Sequence, residues 1–168
     1  SYSNRRSDEY GGTVENRFRF AREIIRAVRE ITPESKLLTL RISNWGVADM
    51  DVSLFESEKE FSRLVGLLDE EPIDAVSVST YDYSQKAFGG DKRMARIARE
   101  ATKLPIMICG GIYDRKTAED ALQDADIVLS AKSMLLNPNW VEDVKKGREL
   151  RAFKSKEANI AYTEEPLP

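Results

Sequence analysis

Two successive apolar segments of this sequence end on groups that can bind an anion. The segment LPIMICGG, Leu104–Gly111, closes on two glycines, Gly110 and Gly111, and the segment ADIVLSAK, Ala125–Lys132, closes on Lys132. Ligands of parallel α/β folds lie at the carboxyl ends of the strands. Glycine N–H groups can approach a phosphate closely and a lysine adds positive charge, so the two ends together predict an anion cradle.

Each of these groups also has a purely structural explanation. A glycine pair after a strand is typical of a tight turn that needs a positive φ. A single lysine at such a position is commonly solvated. The sequence leaves both explanations open, and the anion interpretation depends on the two strand ends meeting in space.

Arg41 is a further charged candidate, because it lies inside the apolar run LLTLRIS. A buried arginine is costly unless an anion or several acceptors meet it. Near a strand's carboxyl end Arg41 would point toward a ligand site. The alternative is a structural ion pair with an acidic residue such as Asp74 or Asp126, and the sequence favours neither explanation.

The remaining reactive side chains are weaker candidates. Cys109 is interpreted as a core thiol, because the chain has no histidine to activate it. Tyr81 and Tyr83 either line a pocket or pack a loop. The absence of histidine also excludes a Ser-His-Asp triad and any His-ligated metal site built from this chain alone.

Composition excludes several classes of partner. The 168 residues carry 26 Lys and Arg against 29 Asp and Glu, a formal net charge of −3, which gives no reason to expect nucleic acid or an acidic membrane as a partner. No apolar run approaches the roughly 20 residues that span a bilayer. A single cysteine permits no internal disulfide, so we expect a reducing, cytoplasmic setting.

The elements that must position these groups alternate along the chain. Caps are predicted at Thr13, at Ser57 with Glu60 as a capping box, at Asp114, and at Asn137–Pro138. Strands are expected at Lys36–Ser43, which has no helical period and is interpreted as buried on both faces, and at Ile73–Thr80, Leu104–Gly111 and Ala125–Lys132. Helices are expected at about 14–31, 58–69, 92–102, 115–123 and 139–148. Alternating strands and helices predict an α/β fold with a parallel sheet, and periodicity alone does not distinguish an open doubly wound sheet from part of a barrel.

The order of the motifs resembles one family. The segment NRRSDEYGGTVENRFRF, Asn4–Phe20, is similar to the one that follows the fourth strand in Old Yellow Enzyme-type NADH:flavin oxidoreductases. The strings LRIS, ICGGI and ADIVLSAKSMLLNPNWV follow in the family's order, so the resemblance covers about residues 4–148. It implies that residues 1–150 are the carboxyl-terminal half, strands five to eight, of an FMN-binding (β/α)8 TIM barrel. Residues 151–168, which include two prolines and two adjacent glutamates, are expected to be an irregular tail.

The resemblance also implies roles for named residues. Such enzymes bind FMN and pass hydride from NADH or NADPH to an activated alkene or similar acceptor. Arg41 would lie near the flavin pyrimidine edge, and Gly110 and Gly111 would offer amides to the FMN phosphate. Ala131 and Lys132 stand where the family usually has Gly-Arg. A lysine keeps the charge but loses the bidentate fork, and an alanine adds a methyl group where the backbone approaches the phosphate.

The family's first four strands carry its flavin-ring contacts, the histidine-containing pair that holds the substrate, and the tyrosine proton donor. None of these groups can be placed in this chain, so we expect it to contribute no catalytic residue. We expect a partner, either a missing amino-terminal half-barrel or a second copy of the chain, because a half-barrel exposes strand edges and an apolar face. Two alternatives are a non-catalytic half-barrel that binds flavin or another phosphate ligand, and a remnant that serves assembly only. The sequence does not identify the acceptor or the preferred nicotinamide cofactor.

Overall fold

The fold is a four-stranded parallel sheet with strand order β1-β2-β3-β4 and helices between the strands. The computed structural model describes residues 3–46 and 52–154. Its elements are α1 Val14–Ile31, β1 Thr39–Ser43, α2 Glu58–Leu67 followed by a 3-10 turn Leu68–Glu70, β2 Ala75–Ser79, α3 Met94–Ala101, β3 Ile106–Cys109, α4 Arg115–Ala121, β4 Ile127–Leu129, α5 Lys132–Leu136 and α6 Trp140–Lys146.

The sheet packs its helices on one face. Right-handed crossovers between strands in sequential order place every connecting helix on the same side. The core lies between that face and the helices, where Val76 and Val78 of β2 meet Phe61 of α2 and Ile97 of α3, all at most 1% exposed. This side of the sheet is therefore the structural core of the chain.

The opposite face carries the row Arg41, Ser77, Met107 and Ile127, which are register partners across the four strands. Ser77 is buried, but Arg41 is exposed and Ile127 keeps 45% of its surface accessible. The expectation that the first strand is buried on both faces is therefore wrong. Leu37, which the sequence placed in the first strand, lies outside it and is 83% exposed.

Most predicted helix starts are confirmed. Thr13 accepts a hydrogen bond from the Asn16 amide and begins α1, as predicted. Asp114 caps α4 with a capping box that its partner Thr117 completes. The Thr117 N–H and hydroxyl hydrogen bonds lower the pKa of the Asp114 carboxyl, so this cap is ionised at neutral pH.

The predicted capping box of α2 is only half present. Ser57 accepts from the Glu60 amide at 3.2 Å, as the pattern requires. The Glu60 carboxylate, however, accepts from the Glu56 amide and pairs with Arg17 of α1 instead of returning to Ser57. The same side chain thereby joins α2 to α1, a tertiary contact that no local pattern reveals.

The strand predicted to run from Ala125 to Lys132 is shorter than expected. It ends at Leu129, and Lys132 begins α5, a helix that the sequence did not predict. Asn137 is correspondingly the C-cap of α5, and Asn139 occupies the N-cap position of α6. The predicted Asn137–Pro138 start of the last helix is thus wrong by two residues.

One buried carboxylate ties α1 to the loop before β2. The Glu71 side chain is fully buried and lies 2.9 Å from Arg26 Nε. Arg22 Nε lies 2.6 Å from the other carboxylate oxygen, but its N–H is not aligned for a hydrogen bond, so we treat this contact as charge attraction. Across the described ranges, no helix is long and apolar enough to cross a membrane.

Candidate anion-binding cleft

A cleft of about 220 Å³ opens where the carboxyl ends of the strands meet. Its walls come from the residues that follow each of the four strands, which is the edge where parallel α/β folds bind ligands. The sequence-predicted Gly110, Gly111, Ala131 and Lys132 all line it. The other lining residues are Trp45, Thr80, Tyr81, Cys109, Ile112, Tyr113, Leu129 and Ser130.

Gly110 and Gly111 form the turn that follows β3. Gly110 has φ +118° and Gly111 has φ +67°, values that other residues adopt only with strain. A Cβ on Gly110 would lie 2.2 Å from the Thr80 carbonyl oxygen, so close packing against the β2 loop requires glycine there regardless of any ligand. Among the described residues, the Gly111 N–H donates to no acceptor, and it is therefore available to an anion.

Three hydrogen bonds hold the glycine turn between its neighbours. The Thr80 hydroxyl donates to the Cys109 carbonyl at 2.8 Å. On the other side, the Ser130 hydroxyl donates to the Ile112 carbonyl at 3.0 Å, and the Ser133 hydroxyl donates to the Tyr113 carbonyl at 2.9 Å. The turns after β2, β3 and β4 therefore form one connected rim, which keeps the glycines and the lysine together.

Lys132 supplies positive charge at this rim. It is exposed and, in the part of the chain that the structure describes, forms no ion pair with a carboxylate. Its Nζ lies 5.9 Å from the Tyr81 ring centroid and 5.5 Å from that of Phe153. The ammonium group thus lies near two aromatic rings, and because no carboxylate in the described ranges pairs with it, it is available to an anionic ligand.

Arg41 lies apart from the cleft, on the open face of β1. Its side chain is exposed, and Nε donates to the Ser77 hydroxyl at 3.3 Å. The prediction that Arg41 is buried is therefore wrong. The two carboxylates named as structural partners pair elsewhere, Asp74 with Arg29 and Asp126 with Arg99.

The tyrosine pair divides between the two predicted roles. Tyr81 is 62% exposed and lines the cleft. Tyr83 is buried and packs the loop, where it donates to Asp120 at 2.9 Å. Burial and this hydrogen bond raise the pKa of Tyr83 to about 12, so it stays protonated at neutral pH and has a structural role.

A second, larger cleft of about 410 Å³ adjoins the first one and shares Trp45, Thr80 and Tyr81 with it. Sequence reasoning missed Trp45 and Phe153. Trp45 lies two residues after the end of β1, so its position near a strand end was a usable signal. Phe153 had no such signal, because it follows the last helix and reaches the rim only through the fold.

The rim also carries one negative charge. Asp82 Oδ1 lies 3.5 Å from the position of a Cβ on Gly111. The same oxygen accepts from the amide and the hydroxyl of Ser84, at 2.9 and 2.8 Å. These two donors stabilise the ionised Asp82 carboxylate, so an anion at the Gly111 amide would lie near this negative charge as well as near Lys132. Within the described ranges, no cluster of acidic or thiol side chains could hold a metal ion.

Comparison with known proteins gives a consistent result. A model of the NADH:flavin oxidoreductase / NADH oxidase family matches residues 1–151. An NADPH dehydrogenase of Clostridium acetobutylicum is 30% identical over 145 residues, which cover 83% of this chain and 42% of that protein. An NADH oxidase of Thermoanaerobacter brockii is 28% identical over 169 residues, covering 94% of this chain and 25% of that protein.

Solved structures agree with the sequence relatives. Morphinone reductase in complex with tetrahydroNAD superposes with a TM-score of 0.76 and 25% sequence identity. The match covers 98% of this chain and 44% of that chain. The chain therefore spans less than half the length of the relatives and structures that it matches.

Proposed function

The chain belongs to the NADH:flavin oxidoreductase / NADH oxidase family, and from that premise we propose that it is the carboxyl-terminal half of an FMN-binding (β/α)8 barrel. In this proposal residues 1–150 supply strands five to eight; the tail expected at residues 151–168 lies, beyond residue 154, outside the described residues. The completed barrel reduces an activated alkene or similar acceptor with NADH or NADPH. The chain's own task is to hold the phosphate end of FMN and one edge of the flavin.

The sheet supports the barrel proposal. Its four parallel strands lie in sequential order with the helices on one side, which is the arrangement of consecutive units of a (β/α)8 barrel. The open face, with Arg41 and Ile127 exposed, would be the inside of the completed barrel. Coverage of 42 to 44% of the NADPH dehydrogenase and morphinone reductase chains fits half of such a barrel.

The cleft fits the phosphate end of FMN and not the whole cofactor. Its volume of about 220 Å³ is below the roughly 300 to 1,000 Å³ typical of pockets that enclose a complete ligand. Gly111 offers a free amide, Gly110 brings the backbone close, and Lys132 offers charge. The isoalloxazine ring would then extend over the open face, toward the half of the barrel that this chain lacks.

Ala131 and Lys132 would hold the phosphate less rigidly than a Gly-Arg pair. A lysine is a point charge without the planar fork of an arginine, and a methyl group stands beside it. The single observation that carries the proposal is the convergence of Gly110, Gly111, Ala131 and Lys132 on one cleft.

Arg41 would lie near the pyrimidine edge of the flavin ring. It stands on the open face, where its guanidinium is accessible beside Ser77. A positive charge near the pyrimidine edge favours the anionic reduced flavin. The bound FMN would supply the hydride-transfer chemistry between the nicotinamide and the acceptor.

The completing partner is either an amino-terminal half-barrel or a second copy of the chain. The outer strands β1 and β4 each have one unpaired edge in the described sheet, and such edges favour pairing. The non-catalytic alternative, a half-barrel that binds flavin or another phosphate ligand without turnover, rests on the same cleft. The assembly-only alternative predicts no ligand at all.

Titration with FMN, riboflavin and inorganic phosphate, followed by amide NMR shifts, tests the proposal. We expect FMN and phosphate to shift the Gly110, Gly111 and Lys132 amides and riboflavin to leave them largely unchanged. Lys132→Ala should weaken the FMN response, whereas Lys116→Ala, an exposed lysine outside this cleft, should not. Shifts by riboflavin equal to those by FMN, or an unaffected Lys132→Ala variant, would refute a phosphate site.

Turnover separates the enzymatic proposal from the non-catalytic one. The visible spectrum of the protein isolated from cells reports bound flavin, and gel filtration reports the completing partner. NADH or NADPH oxidation by that assembly with an enone acceptor supports the oxidoreductase. A flavin-loaded assembly without any such turnover favours the non-catalytic half-barrel.

A further inference from the structure

The Lys132 ammonium lies within about 6 Å of two aromatic rings that come from distant parts of the chain. Tyr81 follows β2 and Phe153 follows α6. Their ring centroids lie 5.9 and 5.5 Å from the ammonium nitrogen, inside the range of cation–π attraction. We call Tyr81 and Phe153 the aromatic clamp.

The buried side-chain amide of Asn137 holds the backbone that precedes Phe153. Asn137 is 7% exposed and bonds both backbone groups of Arg151: its Nδ2 donates to the Arg151 carbonyl, and its Oδ1 accepts from the Arg151 amide. The same Nδ2 donates to the Ser133 carbonyl in α5 at 2.8 Å. These bonds attach the backbone after α6 to α5, the helix that begins with Lys132. The point of attachment is Arg151, two residues before Phe153.

The clamp addresses a specific weakness of a lysine at an anion site. A lysine side chain has several rotatable bonds, and fixing it for a ligand costs conformational entropy. Two rings that hold the ammonium group in advance remove part of that cost. Their attraction for an exposed cation corresponds to about two- to fivefold in an equilibrium constant for each ring.

We infer that the aromatic clamp positions Lys132 at the rim of the cleft and that this positioning gives the cleft its preference for a phosphate monoester over the same ligand without phosphate. Tyr81 and Phe153 are positioning residues, because they act through the lysine. Asn137 acts one step further away by fixing Phe153. The inference rests on the proposed function, since FMN is the phosphate monoester in question.

A direct test of the clamp uses the NMR signals of the Lys132 side chain, without any ligand. Protons above an aromatic ring are shifted upfield, so the Lys132 ε-methylene signals should lie upfield of those of the other lysines. Tyr81→Leu and Phe153→Leu should each move them part of the way back. Tyr113→Leu is the matched control, because Tyr113 is exposed, lines the cleft and, among the described residues, has no cation–π contact with Lys132. Unshifted ε-methylene signals would overturn the inference.

The functional test compares the dissociation constants of FMN and riboflavin. We expect Tyr81→Leu and Phe153→Leu each to reduce the preference for FMN about two- to fivefold, and Tyr81→Phe to retain it. In a Lys132→Met background the same substitutions should have no further effect. A structural role alone would weaken both ligands equally or act independently of Lys132.

The outcomes separate this inference from the proposed function. If the wild-type chain prefers FMN and the clamp substitutions leave that preference unchanged or raise it, the clamp is refuted and the phosphate site stands. If the wild-type chain binds both ligands equally while the ε-methylene signals are shifted, the phosphate function is refuted and the clamp is a structural contact only. Asn137→Ala should change the Lys132 ε-methylene shift and the preference for FMN in the same direction as Phe153→Leu. Because Asn137 is buried, thermal unfolding of this variant is measured as well, to separate a loss of folding from a loss of positioning.

Discussion

Substitution of Gly110 by alanine tests the geometry on which the cleft depends. The new Cβ would lie 2.2 Å from the Thr80 carbonyl oxygen and 2.8 Å from the Thr80 hydroxyl oxygen, so the turn after β3 must move away from the turn after β2. Overpacking of this kind costs about 1 to 3 kcal/mol. A side chain at positive φ adds about 1 to 2 kcal/mol. We therefore expect the free energy of unfolding to fall by about 2 to 5 kcal/mol.

Gly89→Ala is the matched control. Gly89 also has a positive φ, +69°, but nothing lies within 4 Å of the position of its Cβ. Only the backbone strain of about 1 to 2 kcal/mol should appear in this variant. Urea unfolding followed by circular dichroism measures both. If the two variants lose the same stability to within about 0.5 kcal/mol, which is the usual uncertainty of additive effects, the close packing of Gly110 against Thr80 is refuted.

The remaining predictions concern titration and buried charge. Burial and the hydrogen bond to Asp120 raise the pKa of Tyr83 to about 12, above its value of about 10 in the unfolded chain. The protonated Tyr83 therefore contributes fully to the free energy of unfolding below about pH 10, and this contribution is lost between about pH 10 and 12. Tyr83→Phe should flatten that part of the alkaline unfolding profile, and an unchanged slope would contradict the assignment. The backbone N–H of Ile106 in β3 and, to a smaller extent, Arg99 lower the pKa of Asp126. The ionised Asp126 therefore contributes to the free energy of unfolding above pH 3.8, and this contribution is lost as the pH falls through the lowered pKa. Between those two pH values Asp126→Asn should lose less stability on acidification than the wild type. Glu71→Ala leaves the arginines of α1 without their buried carboxylate and should cost about 2 to 4 kcal/mol in urea unfolding, whereas the same change at the exposed Glu70 should cost less than about 1 kcal/mol.

The local elements of the fold were largely predictable because their causes are local. The stripe of α1 and its Thr13 cap depend on residues within a few turns of one helix, and α1 has the predicted bounds Val14–Ile31. The parallel sheet follows from alternating strands and helices, because the crossover has one favoured hand. The identification of the family followed from the order and spacing of whole segments, and the family model confirms it over residues 1–151.

The burial of individual side chains was not predictable in the same way. Arg41 and Leu37 lie in an apolar run, and apolar runs indicate strands buried on both faces. In this chain the second face of the sheet is open at the outer strands, so Arg41 is exposed. Leu37 lies outside β1 altogether. The pattern in one strand gives no information on what covers its second face.

The sequence by itself determined which groups could bind an anion and that they follow neighbouring strands, because glycine, lysine and strand order can be identified along the chain. Only the tertiary structure brought Gly110, Gly111, Ala131 and Lys132 to one cleft and placed the Tyr81 and Phe153 rings near the lysine ammonium. Phe153 follows α6 in the chain, and the buried amide of Asn137 fixes the backbone near it through Arg151. Contacts between residues so distant in sequence depend on how the whole sheet and its helices pack, and no local pattern encodes them.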